Sequence, residues 1–167
     1  MPKRSAGILL YRHGPTGAEV LLVHPGGPFW AKRDLGVWSI PKGEIADDEN
    51  GLAAARREFA EETGFALPPG AEAVALGSFR QSSAKTVEVW AVEGDADPDT
   101  LVSNTFRMEW PPRSGRYREI PEVDRAAWFA LAEAERRLVK GQVPIIAELR
   151  ARLQPPPAAS GRKDAAP

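Results

Sequence analysis

Cysteine is absent from the 167 residues, and histidine occurs only as His13 and His24. Without a thiolate there is no disulfide scaffold, no cysteine nucleophile and no cysteine-ligated zinc or iron–sulfur site. Two histidines do not build a histidine-rich metal centre. A metal on this chain would be held mainly by oxygen, the donor set of Mg²⁺, Mn²⁺ and Ca²⁺. Long apolar runs are missing too, and none approaches the ~20 residues of a membrane span. The basic start at 1–5 is followed only by Ala6 to Leu10 before Tyr11-Arg12-His13, so it reads as a strand rather than a signal peptide. No membrane partner is expected, and the cytoplasm is the expected location. Charge of one sign is also lacking: 22 basic and 23 acidic residues leave a net charge of −1. That balance argues against a general polyanion binder, which needs a basic face for counterion release. The length and the ordinary apolar and charged fractions suit one globular domain.

The pattern alternates strands and helices. Residues 5–13 and 18–24 are aliphatic runs joined by Gly14-Pro15-Thr16-Gly17, which predicts a hairpin. A short strand is expected at 37–40, ending at Pro41. Residues 48–63 form the strongest helix, with Asp47 or Asp48 as cap and Gly64 at the left-handed position after its end. Leu52, Ala55 and Phe59 share one stripe of it and should face the core. Strands are expected at 71–80 and 85–93, the second with Val87, Val89 and Ala91 alternating inward. A strand candidate at 104–110, a Pro-rich loop at 111–115, a last strand at 126–130, a helix at 131–139, a break at Gly141 and a helix opened by Pro144 complete the chain. The expected class is an α/β sandwich with a mixed sheet, forming a single domain over 1–154. The Pro/Ala/Ser/Gly-rich stretch 155–167 reads as a disordered tail.

Chemistry concentrates on the helix at 48–63. Glu58 stands three and four residues before Glu61 and Glu62, so all three carboxylates share one arc of the helix. Like charges at these spacings repel by about 0.2–0.5 kcal/mol per pair. Arg56 and Arg57 offset part of that. A hard divalent cation would do more, and Glu58 and Glu62, one turn apart, suit its ligation. Arg57 is suited to orient a carboxylate by bidentate pairing, with Glu49 its expected partner.

The full spacing is Gly43, five residues, Glu49, seven residues, Arg57-Glu58-Phe59, one residue, Glu61-Glu62, one residue, Gly64-Phe65. Chance would produce it less than roughly once in a million such chains, from average residue frequencies. It resembles the Nudix box at every specified position. The resemblance implies an α/β/α sandwich in which the box forms a loop, a helix and a loop. It also implies cleavage of a pyrophosphate linkage in a nucleoside diphosphate joined to another group, with Mg²⁺ or Mn²⁺ as cofactor. Beyond the box, the segments at 24–30, 38–44, 103–115 and 121–129 are similar to bacterial NTP pyrophosphohydrolases of that family.

By the same resemblance the Gly43 carbonyl joins Glu58, Glu61 and Glu62 as a metal ligand. Glu122, six residues before Trp128, matches a further carboxylate ligand ahead of the last strand, and Lys42 matches a phosphate-contacting lysine. The general base differs among members of the family; Glu58 is placed ahead of Glu61. Lys85, which opens a strand, is a second candidate for phosphate. Trp30 and Trp110, with Phe29, are candidates to stack a base. Likeness to diadenosine-polyphosphate hydrolases is confined to 85–87 and 122–128, and the tyrosine expected after the box is replaced by Arg80-Gln81-Ser82-Ser83. The proline of many ADP-ribose hydrolases is missing there as well. The expected activity is therefore hydrolysis of a phosphoanhydride in an NTP or a dinucleoside polyphosphate. The alternatives are removal of pyrophosphate from an RNA 5′ end, for which Arg107, Arg113, Arg116 and Arg118 would supply the basic groove, and a non-enzymatic nucleotide-binding module.

Overall fold

Strand β1 (Lys3–Gly14) is the axis of the fold, because it is paired on both edges. A computed structural model describes residues 3–154; the expected tail at 155–167 lies outside the described residues. One edge of β1 pairs in parallel with β5 (Lys85–Glu93) along its whole length, from Lys3 beside Lys85 to Tyr11 beside Glu93. The other edge is divided. Its far half, 11–14, forms the expected hairpin with β2 (Gly17–Pro25), and its near half, 5–7, pairs with β3 (Lys42–Glu44). The sheet thus splays where β2 parts from β1, and it is this gap that receives the site. The full order is β4-β5-β1-β2-β8, with β3 beside β1, where β4 spans Ala73–Ser82 and β8 spans Val123–Ala130.

The two faces of the sheet follow the period-two alternation of β1. Ala6, Ile8 and Leu10 pack with Ala54, Ala55 and Phe59 of α1 (Gly51–Thr63). Leu9, with Val87, Val89 and Ala91 of β5, packs against Ile145, Ile146 and Leu149 of α3 (Val143–Leu153) and Ala134 of α2 (Leu131–Arg137). Helices on both faces of a mixed sheet make the expected α/β/α sandwich.

Three local expectations are corrected. The helix begins at Gly51 and its cap is Asn50, whose Oδ1 accepts from Ala53 N at 3.1 Å. Asp47 and Asp48 lie instead in a turn closed by Glu49 N donating to Ala46 O. The third strand is not 37–40 but 42–44. Ser39 bridges β2 while Trp38 bridges Leu138 on the opposite side, so no two successive residues there share one partner strand. Finally, β6 (Thr105–Glu109) finds a partner unseen in the sequence, β7 (Tyr117–Pro121), forming a separate two-stranded sheet. The charged run at 117–119 hides a strand whose only buried residue is Ile120. Gly64 does adopt the left-handed conformation, with φ 73°, and its N–H donates to Ala60 O.

Candidate active site

Arg57 is the hub of the box. Its Nε and Nη2 each donate to a Glu49 oxygen at 2.8 Å, its Nη1 donates to Glu58 Oε2 at 2.8 Å and Glu61 Oε2 at 3.3 Å, and Nη2 also reaches the Glu44 carbonyl at 3.1 Å. The planar fork meets Glu49 bidentately, as the spacing predicted. Glu49 is held well below the ordinary carboxylate range, at about 2, by the Arg57 hydrogen bonds and the Ala46 N–H. Arg57 is raised in turn, first by Glu49 and then by Glu58. Both residues stand behind the cleft rather than in its lining.

The other end of the helix is the reverse. Glu62 is drawn inward and, among the described residues, accepts only the Lys42 N–H, at 3.3 Å. Burial pushes it up to about 8, with the Glu122 and Glu58 charges adding and Lys42 opposing. Glu58 is raised as well, chiefly by burial, against the pull of Arg57. Its carboxylate lies against the backbone of Gly43, so a side chain at 43 would displace the carboxylate from the position it holds beside Arg57.

Glu122 reaches this cluster through a chain of backbone hydrogen bonds. The free carbonyls at the end of α1 accept from Val102 N and Asn104 N, at Thr63 O and Glu61 O. Asn104 O then accepts from Glu122 N at 2.9 Å, and Glu122 O accepts from Gly26 N at 3.0 Å. A side chain at Gly26 would run into the Pro121 carbonyl, so this approach requires glycine.

The result is a cleft of about 360 Å³. Lys42, Gly43, Glu58, Glu61, Glu62, Lys85 and Glu122 all line it, joined by Lys3, Ser5, Glu44 and Asn104. These last four were not read from the sequence. Lys3 and Ser5 arrive only because β1 sets them beside Lys85 and Glu44, and no local motif announces that register. A second, smaller lobe of about 180 Å³ adjoins it, sharing Lys42, Glu62 and Glu122. Its walls include Val23, Pro25, Val37 and Val123, with Gln81 on one side.

Trp30 and Trp110 line neither space. Trp30 packs edge-on to Phe29 with centroids 4.8 Å apart, under Arg33, and Trp110 sits at the end of the β6–β7 hairpin, its N–H donating to Arg116 O. The arginines considered for RNA are not in the cleft lining either. Arg107 lies over the Tyr117 ring at 4.3 Å and faces Glu119 across the hairpin. His24, next to the lobe, is fully buried, with Nδ1 2.9 Å from Asp124 Oδ1 and Nε2 2.6 Å from the Arg33 carbonyl.

Among the described residues, no three carboxylate or imidazole groups are gathered closely enough to enclose an ion as they stand. Glu58 is turned toward Arg57 and Glu62 toward the Lys42 N–H. The donor set nevertheless fits a hard divalent cation: it is all oxygen, it comes from a rigid helix end, and its buried carboxylates carry mutual repulsion that a cation relieves.

A family profile for the NUDIX domain matches residues 1–149. Among solved structures, the fold is similar to an Ap4A hydrolase of C. elegans in a binary complex, 19% identical, covering 90% of this chain and 97% of that one, with TM-score 0.56. It is similar to the NUDIX domain of Shewanella oneidensis NrtR complexed with ADP ribose, 19% identical over 92% and 90%, with TM-score 0.60. A MutT protein from Methanosarcina mazei is 19% identical over 92% and 97%, with TM-score 0.55. At these identities the three likenesses concern the fold, while the profile spans nearly the whole chain and the complete box runs from β3 through α1 to Phe65. The chain belongs to the Nudix family of hydrolases acting on pyrophosphate bonds.

Proposed function

We propose that this chain is a divalent-metal-dependent hydrolase of nucleoside polyphosphates, either NTPs or dinucleoside polyphosphates, cleaving a phosphoanhydride by attack of water at phosphorus. The observation that carries the reading is the meeting of carboxylates and lysines in one cleft. Glu58, Glu61, Glu62 and Glu122 line it together with Lys42 and Lys85. A phosphate chain is the ligand that needs both, since its oxygens are drawn to the lysines and to a cation held by the carboxylates.

Glu58, Glu61, Glu62, Glu122 and the Gly43 carbonyl would hold Mg²⁺ or Mn²⁺. When bound, the ion neutralises charge on the phosphate oxygens and makes its water more acidic. Glu58 is the favoured base for the attacking water, ahead of Glu61. Its burial raises its pKa toward the working range, and Arg57 fixes one of its oxygens while leaving the other free. Lys42 and Lys85 bind phosphate oxygens and hold the scissile group against the carboxylates. The likeness to an Ap4A hydrolase supports a polyphosphate bridge as substrate.

The test is kcat/KM for ATP, diadenosine tetraphosphate and ADP-ribose at one Mn²⁺ concentration, repeated with chelator. Each added phosphate meets more of these groups, so a polyphosphate should exceed ADP-ribose, and chelation should abolish turnover. ADP-ribose as the best of the three would overturn the polyphosphate reading.

A further inference from the structure

The smaller lobe beside the cleft is built around one amide whose orientation the backbone dictates. Ile40 N donates to Gln142 Oε1 at 3.0 Å, so the amide of Gln142, which is completely buried, has only its NH₂ left to give. Gln142 Nε2 donates to Gln81 Oε1 at 3.1 Å. Gln81 is thereby turned so that its own NH₂ is the free end, with no hydrogen-bond partner among the described residues. Two further features hold it there. The pairing of β4 with β5 slips between Arg80 and Ser82, leaving Gln81 as an unpaired bulge residue, and bulges of this kind re-aim a side chain. The turn at 140–142 approaches so closely that a side chain at Gly141 would strike the Gln81 backbone.

We infer that this lobe takes the nucleobase of the substrate and that Gln81 is a specificity-determining residue, donating from its NH₂ to a base carbonyl oxygen. The inference rests on the polyphosphate reading above. The lobe shares Lys42, Glu62 and Glu122 with the cleft, so a base in it is continuous with phosphates at the carboxylates. Val23, Pro25, Val37 and Val123 in its walls are apolar and suit the faces of a ring. Of its polar residues, Lys42, Glu62 and Glu122 are shared with the cleft and the Ser39 hydroxyl is spent on the Ile40 carbonyl, which leaves the Gln81 amide as the lobe's own free donor. A base with a carbonyl at this edge, such as hypoxanthine, guanine or uracil, accepts the hydrogen bond. Adenine presents an amino group there, and two donors facing each other leave both unpaired.

The decisive comparison is ITP against ATP, which differ at this edge alone, under one Mn²⁺ concentration. The wild-type protein should favour ITP by about tenfold in kcat/KM, the scale of one hydrogen bond made or left unpaired. Gln81→Glu still accepts from Gln142 but presents an acceptor to the base, so the preference should reverse toward ATP. Gln81→Met, of similar size and without a donor, should bring the ratio near one. Equal rates for ITP and ATP in the wild type, a preference for ATP, or a ratio that neither variant moves would overturn the inference while hydrolysis itself upheld the polyphosphate reading. Failure to cleave ITP, ATP, diadenosine tetraphosphate and ADP-ribose alike would bring down that reading and this inference with it.

Discussion

Glu49 and Glu62 stand at the two ends of one motif and are the same residue type, yet their surroundings drive them in opposite directions. Glu49 meets the Arg57 fork and the Ala46 N–H and falls to about 2; Glu62 is buried, with a single N–H for company among the described residues, and rises to about 8. At the first end the protein supplies its own counter-charge and gains a rigid hub. At the second it brings carboxylates together and leaves them undercompensated. That is poor for the stability of the protein alone and suited to receiving a cation, the usual relation between a supporting contact and a working one.

The contrast is broken most severely at its working end. Glu62→Gln is nearly isosteric, preserves an acceptor for the Lys42 N–H and lies off the Phe59 stripe, so the fold should persist. Losing one anionic ligand should lower kcat/KM on the order of 1,000-fold, the worth of several kcal/mol of charge stabilisation. Calorimetric titration with Mn²⁺ should show weakened binding, and unchanged affinity would remove Glu62 from the ligand set.

At the supporting end, Arg57→Lys keeps the charge and discards the fork. A point charge cannot hold Glu49 bidentately while also reaching Glu58, Glu61 and the Glu44 carbonyl. Activity should drop by about 10- to 100-fold, the range for groups that orient ligands. Near-normal kcat in this variant would mark Arg57 as a mere surface cation.

A last pair of effects lies in stability against pH and carries opposite signs. In metal-free protein Glu62 keeps its proton in the folded state while the unfolded chain, at the ordinary value of 4.5, releases it. Melting temperature should therefore decline as pH rises from 4.5 to about 8. Glu62→Gln, or added Mn²⁺, should flatten that slope. Glu49 behaves inversely: its stabilising contribution is complete above 4.5 and fades as pH falls toward 2, so Glu49→Gln should flatten the acid limb instead. Differential scanning calorimetry across both windows reads the two slopes separately, and a flat profile in the wild type would count against both assignments.

Gly26, Gly43 and Gly141 show a further contrast. Gly26 and Gly141 permit close approaches to another segment's backbone and Gly43 makes room for the Glu58 carboxylate, yet only Gly43 belongs to a recognisable motif. The other two place Glu122 and Gln81, residues whose neighbours in the chain say little about the company they keep.

Whatever lies within one turn or one short loop is legible in the residues themselves: the helix with Leu52, Ala55 and Phe59 inward, the arc of Glu58, Glu61 and Glu62, the reach of Arg57 to Glu49, and the left-handed Gly64. Local spacing decides these because the 3.6-residue period and the length of a side chain suffice to bring the groups together. The rest of the cleft lining and the lobe come from long-range packing. Lys3 and Ser5 enter by strand register, Glu122 by backbone bonds relayed through Asn104, and Gln81 by a bulge pinned under Gly141 and Gln142. Trp30 and Trp110, reasonable stacking candidates from composition, fell outside for the same reason. Pairing between distant segments is fixed by the burial of whole faces and the division of the β1 edge between two partners, and no local pattern encodes that division.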